Sequence, residues 1–182
     1  MVADKLQEGV VQVFGNMFAF AAIKDDGSVV TWGAEDFGGD SSLVADKLQE
    51  RVLQVSGNLY AFAAIKDDGS VVTWGAEDLG GDSSSVADQL QEGVVQVVGN
   101  RHAFAAIKDN GSVVSWGASA GGGDTSSVAD RLQKGVVQVV GNYSAFAAIK
   151  DDGSVVSWGK ASLGGDSSPV AARLQAGIVQ VV

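Results

Sequence analysis

The feature that most restricts this chain is repetition. Residues 18–33, FAFAAIKDDGSVVTWG, return barely changed at 60–75, 102–117 and 144–159. Trp32, Trp74, Trp116 and Trp158 therefore stand 42 residues apart each time. A unit of that size cannot hide its apolar surface alone, so copies must stack on one another. The chain is read as one tandem-repeat domain, 1–182, with units near 2–43, 44–85, 86–127 and 128–169 and a partial fifth copy at 170–182.

Within a unit the pattern runs in a fixed order. Asp40-Ser41-Ser42 offers capping side chains ahead of Val44, Ala45, Leu48 and Val52 at helical spacing, which predicts a helix of about two turns packed on its own sheet. An apolar strand follows at 10–13, 52–55, 94–97, 136–139 and 178–181, and each copy carries one glutamine: Gln12, Gln54, Gln96, Gln138 and Gln180. Gly15-Asn16 reads as a hairpin signal. Residues 18–23 predict a second strand with no polar face, hence one covered on both sides. Asp26-Gly27 turns the chain into a third strand, 28–32, and a glycine-bounded loop, 33–39, leads to the next unit. The fold class is thus a mainly β repeat protein with one short helix per unit and three-stranded antiparallel sheets.

The stretch from Gly99-Asn100-Arg101-His102 through Asn110-Gly111-Ser112 to Trp116-Gly117 resembles the regulator-of-chromosome-condensation repeat. That resemblance covers about 25 residues of every unit and implies a β-propeller with blade-like units. The family's histidine is kept only as His102; Phe18, Tyr60 and Ser144 stand at the equivalent positions. After Trp-Gly the chain has Gly38-Gly39-Asp40 and its copies where the family has Gly-Gln-Leu-Gly. The founding member exchanges nucleotide and binds chromatin, and no residue-level match carries either activity over. Five copies of the helix-plus-strand segment against four hairpin–Trp units favour an open array over a closed four-bladed ring.

Charge and composition narrow the function. A net charge of −10 argues against nucleic acid and anionic membrane as partners. By unit the charge falls from −5 through −4 and −2 to 0, with +1 in the last segment, which favours head-to-tail contact between copies. No run reaches the roughly 20 apolar residues of a membrane helix, and no signal peptide is visible, so the expected compartment is cytoplasmic by default. There is no cysteine, and the Asn110-Gly111-Ser112 and Asn142-Tyr143-Ser144 glycosylation patterns occur in single units only.

Candidate sites carry competing readings. Gly39-Asp40, Gly81-Asp82, Gly123-Asp124 and Gly165-Asp166 lead into helix N-termini, where free amides could take an anion or the aspartate could itself cap the helix. The glutamines either line a polar groove or are buried amides bonded to a neighbouring unit. The tryptophans read as core anchors or as a stacking platform. Asp25-Asp26-Gly27-Ser28 lacks the further oxygen ligands of a calcium loop. His102 has no nucleophile or metal ligand near it, and the Glu35-Asp36 and Glu77-Asp78 pairs become Ser119-Ala120 and Ala161-Ser162 in later units. No catalytic residue, cofactor or metal is expected. The sequence reading is a non-enzymatic scaffold for protein partners, copies of itself among them; the alternative is a multivalent small-ligand or glycan binder.

Overall fold

The computed structural model describes residues 2–181, so Met1 and Val182, which bound the domain as read from the sequence, lie outside the described residues. Four three-stranded antiparallel sheets follow one another: β1 Val10–Gly15, β2 Ala19–Lys24 and β3 Val29–Gly33; β4 Val52–Gly57, β5 Ala61–Lys66 and β6 Val71–Gly75; β7 Val94–Gly99, β8 Ala103–Lys108 and β9 Val113–Gly117; β10 Val136–Gly141, β11 Ala145–Lys150 and β12 Val155–Gly159. Each is a simple meander with the middle strand in the centre.

The helical segments differ from the expectation. Among the described residues only Val2–Lys5, α1, is an α-helix; its counterparts Ser42–Leu48, Ser84–Leu90, Ser126–Leu132 and Ser168–Arg173 are 3₁₀ helices. α1, Ser42–Leu48, Ser84–Leu90 and Ser126–Leu132 each pack against the third strand of their own unit. Ser42–Leu48 packs on β6 of its own unit and drives Leu48 into the core beside Val44. The loop expected at 33–39 also holds a one-turn 3₁₀ helix, Glu35–Phe37, repeated at 77–79, 119–121 and 161–163.

The core lies between sheets. The alanine-rich side of one middle strand (Ala61, Ala63, Ile65) meets the bulky side of the next sheet (Val94, Val97, Phe104, Ala106, Val114, Trp116). The same pairing joins the first sheet to the second and the third to the fourth. Small residues on one side make room for rings on the other, and each buried ring or branched side chain contributes roughly 1.5–3 kcal/mol. Register places Phe62 across from Trp74 and Phe104 across from Trp116, and the paired rings stack at 5.4 and 5.3 Å.

A glycine socket locks one unit to the next. Gly38, Gly80 and Gly122 follow the one-turn helices with φ of 98°, 106° and 100°. A Cβ on them would fall 2.6, 2.6 and 2.8 Å from the rings of Phe62, Phe104 and Phe146 in the following unit. Their carbonyls accept the indole N–H of Trp74, Trp116 and Trp158 at 3.1, 3.1 and 3.0 Å. At the sheet's other end, Val52, Val94 and Val136 donate their N–H groups to the carbonyls of Gly27, Gly69 and Gly111 in the preceding turn. Ile178 does the same to Gly153, so the final segment enters in the register of another first strand.

Gly164 has the same left-handed backbone, φ 99°, but a Cβ there would meet only Asn142 Nδ2, at 3.3 Å. Gly80→Ala is therefore expected to cost roughly 2–5 kcal/mol, from backbone strain plus overpacking, and Gly164→Ala only about 1–2 kcal/mol. Urea unfolding of both variants checks this; equal losses would show that the socket plays no part in joining units.

Candidate functional site

The positions proposed from sequence fall into three environments. The tryptophans are interior: Trp74, Trp116 and Trp158 are buried, stacked on phenylalanine and hydrogen-bonded to the previous unit, while Trp32 is half-buried. No ring face of the three buried residues is left for a sugar.

The glutamines are not buried amides. Gln12 and Gln96 are exposed, as is Gln180, and Gln54 and Gln138 are half-buried. Gln54 reaches only the Ser56 hydroxyl, at 3.4 Å. The reason is a β-bulge repeated in every first strand, where pairing skips between Val10 and Gln12, Val52 and Gln54, Val94 and Gln96, and Val136 and Gln138. An extra residue breaks strict alternation, so the residue at the bulge and the glutamine after it are both turned outward. Val11, Leu53, Val95 and Val137 are exposed accordingly.

In the glycine–aspartate loops the carboxylate is already used. Asp40 Oδ1 accepts the Ser42 N–H at 2.8 Å, and Asp82, Asp124 and Asp166 do the same to Ser84, Ser126 and Ser168. Gly39, Gly81, Gly123 and Gly165 pass so close to the preceding strand end that a Cβ would fall within 2.5 Å of it. The loop is thus closed on its own backbone. Among the described residues no group of three or more His, Asp or Glu side chains is placed to hold a metal ion, and no helix is long and apolar enough to cross a membrane.

What sequence reasoning missed lies at the β1–β2 turn and its copies. Asn16 works as a clamp: its Oδ1 accepts the N–H groups of Phe18 and Ala19 at 2.8 and 2.7 Å, and its Nδ2 donates to the Phe37 carbonyl at 2.8 Å. Asn58, Asn100 and Asn142 repeat all three bonds. The clamp fixes the backbone and leaves two side chains per turn uncommitted. Those two positions read Met17-Phe18, Leu59-Tyr60, Arg101-His102 and Tyr143-Ser144. A signal was present in the sequence: an asparagine repeated four times, followed by two residues that change in every unit.

These side chains touch across units. Phe18 stacks on Tyr60 at 5.8 Å, Tyr60 on His102 at 6.2 Å, and His102 meets the Tyr143 ring edge-on at 5.9 Å; Phe37 closes on Phe18 at 4.7 Å. The Arg101 guanidinium lies over the Tyr143 ring at 4.6 Å, bonded to the Tyr143 hydroxyl and, at 3.1 Å, to that of Tyr60. Partial burial, then the charges of Arg101 and Lys160, hold His102 below its usual pKa.

In sequence, neither a family model nor a curated protein matches the chain. In structure, yeast Prp20p (Saccharomyces cerevisiae), solved in work on its binding to Gsp1p and histones, superposes with a TM-score of 0.56 at 17% identity, over 84% of this chain and 46% of that one. Yeast RCC1 (Prp20) bound to Kap60 gives 0.57 at 13%, over 85% and 44%. Human WBSCR16 gives 0.54 at 20%, over 82% and 47%. The fold is that of the RCC1-like β-propeller repeat. This chain spans just under half the length of those RCC1-type structures, and the position where the resemblance places the RCC1 histidine is the one that builds the ring stack.

The turn carboxylates give a pH signature. Hydrogen bonds from the Ser28, Ser70 and Ser154 hydroxyls and amides hold Asp26, Asp68 and Asp152 below the usual carboxylate range; the Ser126 and Ser168 amides, then hydroxyls, do so for Asp124 and Asp166. A carboxyl more acidic in the folded state adds stability above its ordinary value, about 3.9, and loses it as pH falls through the lowered one. Stability is expected to hold from neutral pH to about pH 4 and then to fall. Asp68→Asn should make the fall shallower while keeping the turn, because Asn110 makes the same bond to the Ser112 N–H at 2.9 Å. Urea midpoints measured against pH decide; an unchanged acid limb would rule these carboxylates out.

Proposed function

We propose that residues 1–182 form one open tandem-repeat domain acting as a non-enzymatic scaffold for protein–protein interaction, able to join end to end with another copy. The supporting observation is the unequal exposure of equivalent side chains. Phe62 and Phe104 are 0% exposed under the preceding unit, whereas Phe20, the same residue of the first unit, is 46% exposed. Val13 is likewise open where Val55, Val97 and Val139 are buried. Among the described residues the Trp32 indole N–H has no acceptor and the Gly164 carbonyl no donor, although both groups are paired at every internal junction. The Phe20–Trp32 pair and Gly164, mates of a further junction, thus stand at opposite ends of one molecule, as a heterologous contact between copies requires, and β1 of the incoming copy would take the register that Ile178 holds against Gly153. A head-to-tail join sets the −5 first unit beside the neutral fourth rather than beside another −5 unit, and so avoids like-charge repulsion.

Protein binding is also what the solved structures report of yeast Prp20, with Kap60, Gsp1p and histones. Light scattering across a concentration series tests the reading. The natural chain is expected to gain mass with concentration, and Phe20→Glu to stay at the mass of one chain. A natural chain that keeps the mass of one molecule throughout, or a variant that assembles as well as the parent, would sink the end-to-end part.

A further inference from the structure

The ring stack on the Asn-clamped turns is a surface whose side chains the repeat does not fix. Units that agree almost everywhere else carry Met, Leu, Arg and Tyr at one clamped position and Phe, Tyr, His and Ser at the next. Four such different side chains cannot all be optimal packing for the same backbone. Arg101 even leaves its Nε buried without an acceptor, an arrangement that weakens the fold.

We infer that this stack is a docking surface for an extended protein segment carrying an apolar side chain and a carboxylate three or four residues apart. The inference rests on the scaffold reading and names a surface separate from the end faces.

The chemistry of the surface selects that partner. Tyr, Phe, Met and Arg are enriched at protein interfaces, and Tyr and Arg are among the side chains that carry most of their binding energy. Met17 and Tyr143 are 66% and 57% exposed, so a partner has apolar surface to cover. The Phe18, Tyr60 and His102 rings spend their faces on one another, which leaves edges and suits side chains better than flat sugars or bases.

Charge fixes the direction. Exposed Glu35-Asp36 and Glu77-Asp78 flank the stack in the first two units, whereas Ser119-Ala120 and Ala161-Ser162 remove those acids in the last two. There, Arg101 and the exposed Lys160 face solvent chemistry of one sign. Arg51, by comparison, is paired with Asp67 at 2.7 Å. Among the described residues no carboxylate lies within ion-pair reach of Arg101; its two terminal nitrogens each give one N–H to a tyrosine and keep one, a fork for a carboxylate. Two ring-to-ring steps of 5.8 and 6.2 Å separate Phe18 from His102, a span that three or four extended residues cover at about 3.3 Å each.

The test is to pan a phage-displayed library of random linear peptides against the full chain, then to measure the enriched peptides by fluorescence polarisation. Arg101→Met and Phe18→Ser are the variants, because each installs a residue that another unit already carries, Met17 or Ser144; unchanged thermal midpoints confirm folding. Enriched peptides should share an apolar residue with Asp or Glu three or four positions away, and each variant should weaken them at least about tenfold. Phe20→Glu should bind them as the parent does. Peptides that bind both variants as tightly as the parent would overturn the docking surface and leave the scaffold standing. A failure to enrich any peptide, with or without variant-sensitive binding to a glycan or single-stranded DNA, would overturn it too, and would count against the scaffold.

Discussion

Everything in this fold depends on one contact made at each junction: a phenylalanine lying on the Cα of a left-handed glycine, with the neighbouring indole bonded to that glycine's carbonyl. Neither half would suffice. The ring alone would pack without direction, and the N–H···O bond alone is worth only about 1 kcal/mol net. Together they fix both the separation and the rotation of successive sheets. Because the glycine belongs to one unit and the rings to the next, each sheet is completed by its predecessor. Stability then accumulates junction by junction, as in other solenoid and propeller arrays.

Much of this was legible in the residues. Alternating small and large side chains in FAFAAI announced a strand covered on both sides, and the structure buries every residue from Ala61 to Ile65. The 42-residue spacing of the tryptophans marked the repeat, and the two glycine-containing turns set the meander. Three things were hidden, each for a physical reason. The bulge in the first strand has no residue signature, so the sequence left the glutamines open between a polar groove and buried amides. The choice of 3₁₀ over α has no residue signature either, since the same Val-Ala-Asp-Lys is α-helical at 2–5 and lies in a 3₁₀ helix at 44–47. The ring stack joins side chains 42 residues apart whose identities differ, so no single unit displays it.

The resemblance to RCC1-type propellers sets the architecture and stops there. With identity between 13% and 20% over less than half of the solved chains, only the blade design is common ground. The charge distribution, the lone histidine and the acids of the first two units belong to this chain.

The asparagine clamp has one more consequence. By taking two amides and a carbonyl into its own side chain, it separates the shape of the turn from the identity of the two residues that follow. Each turn is therefore a cassette whose contents can be exchanged without re-engineering the sheet beneath it. A gene that grows by duplicating such units obtains a fresh pair of uncommitted letters with every copy, and new specificity can be written there with little risk to folding.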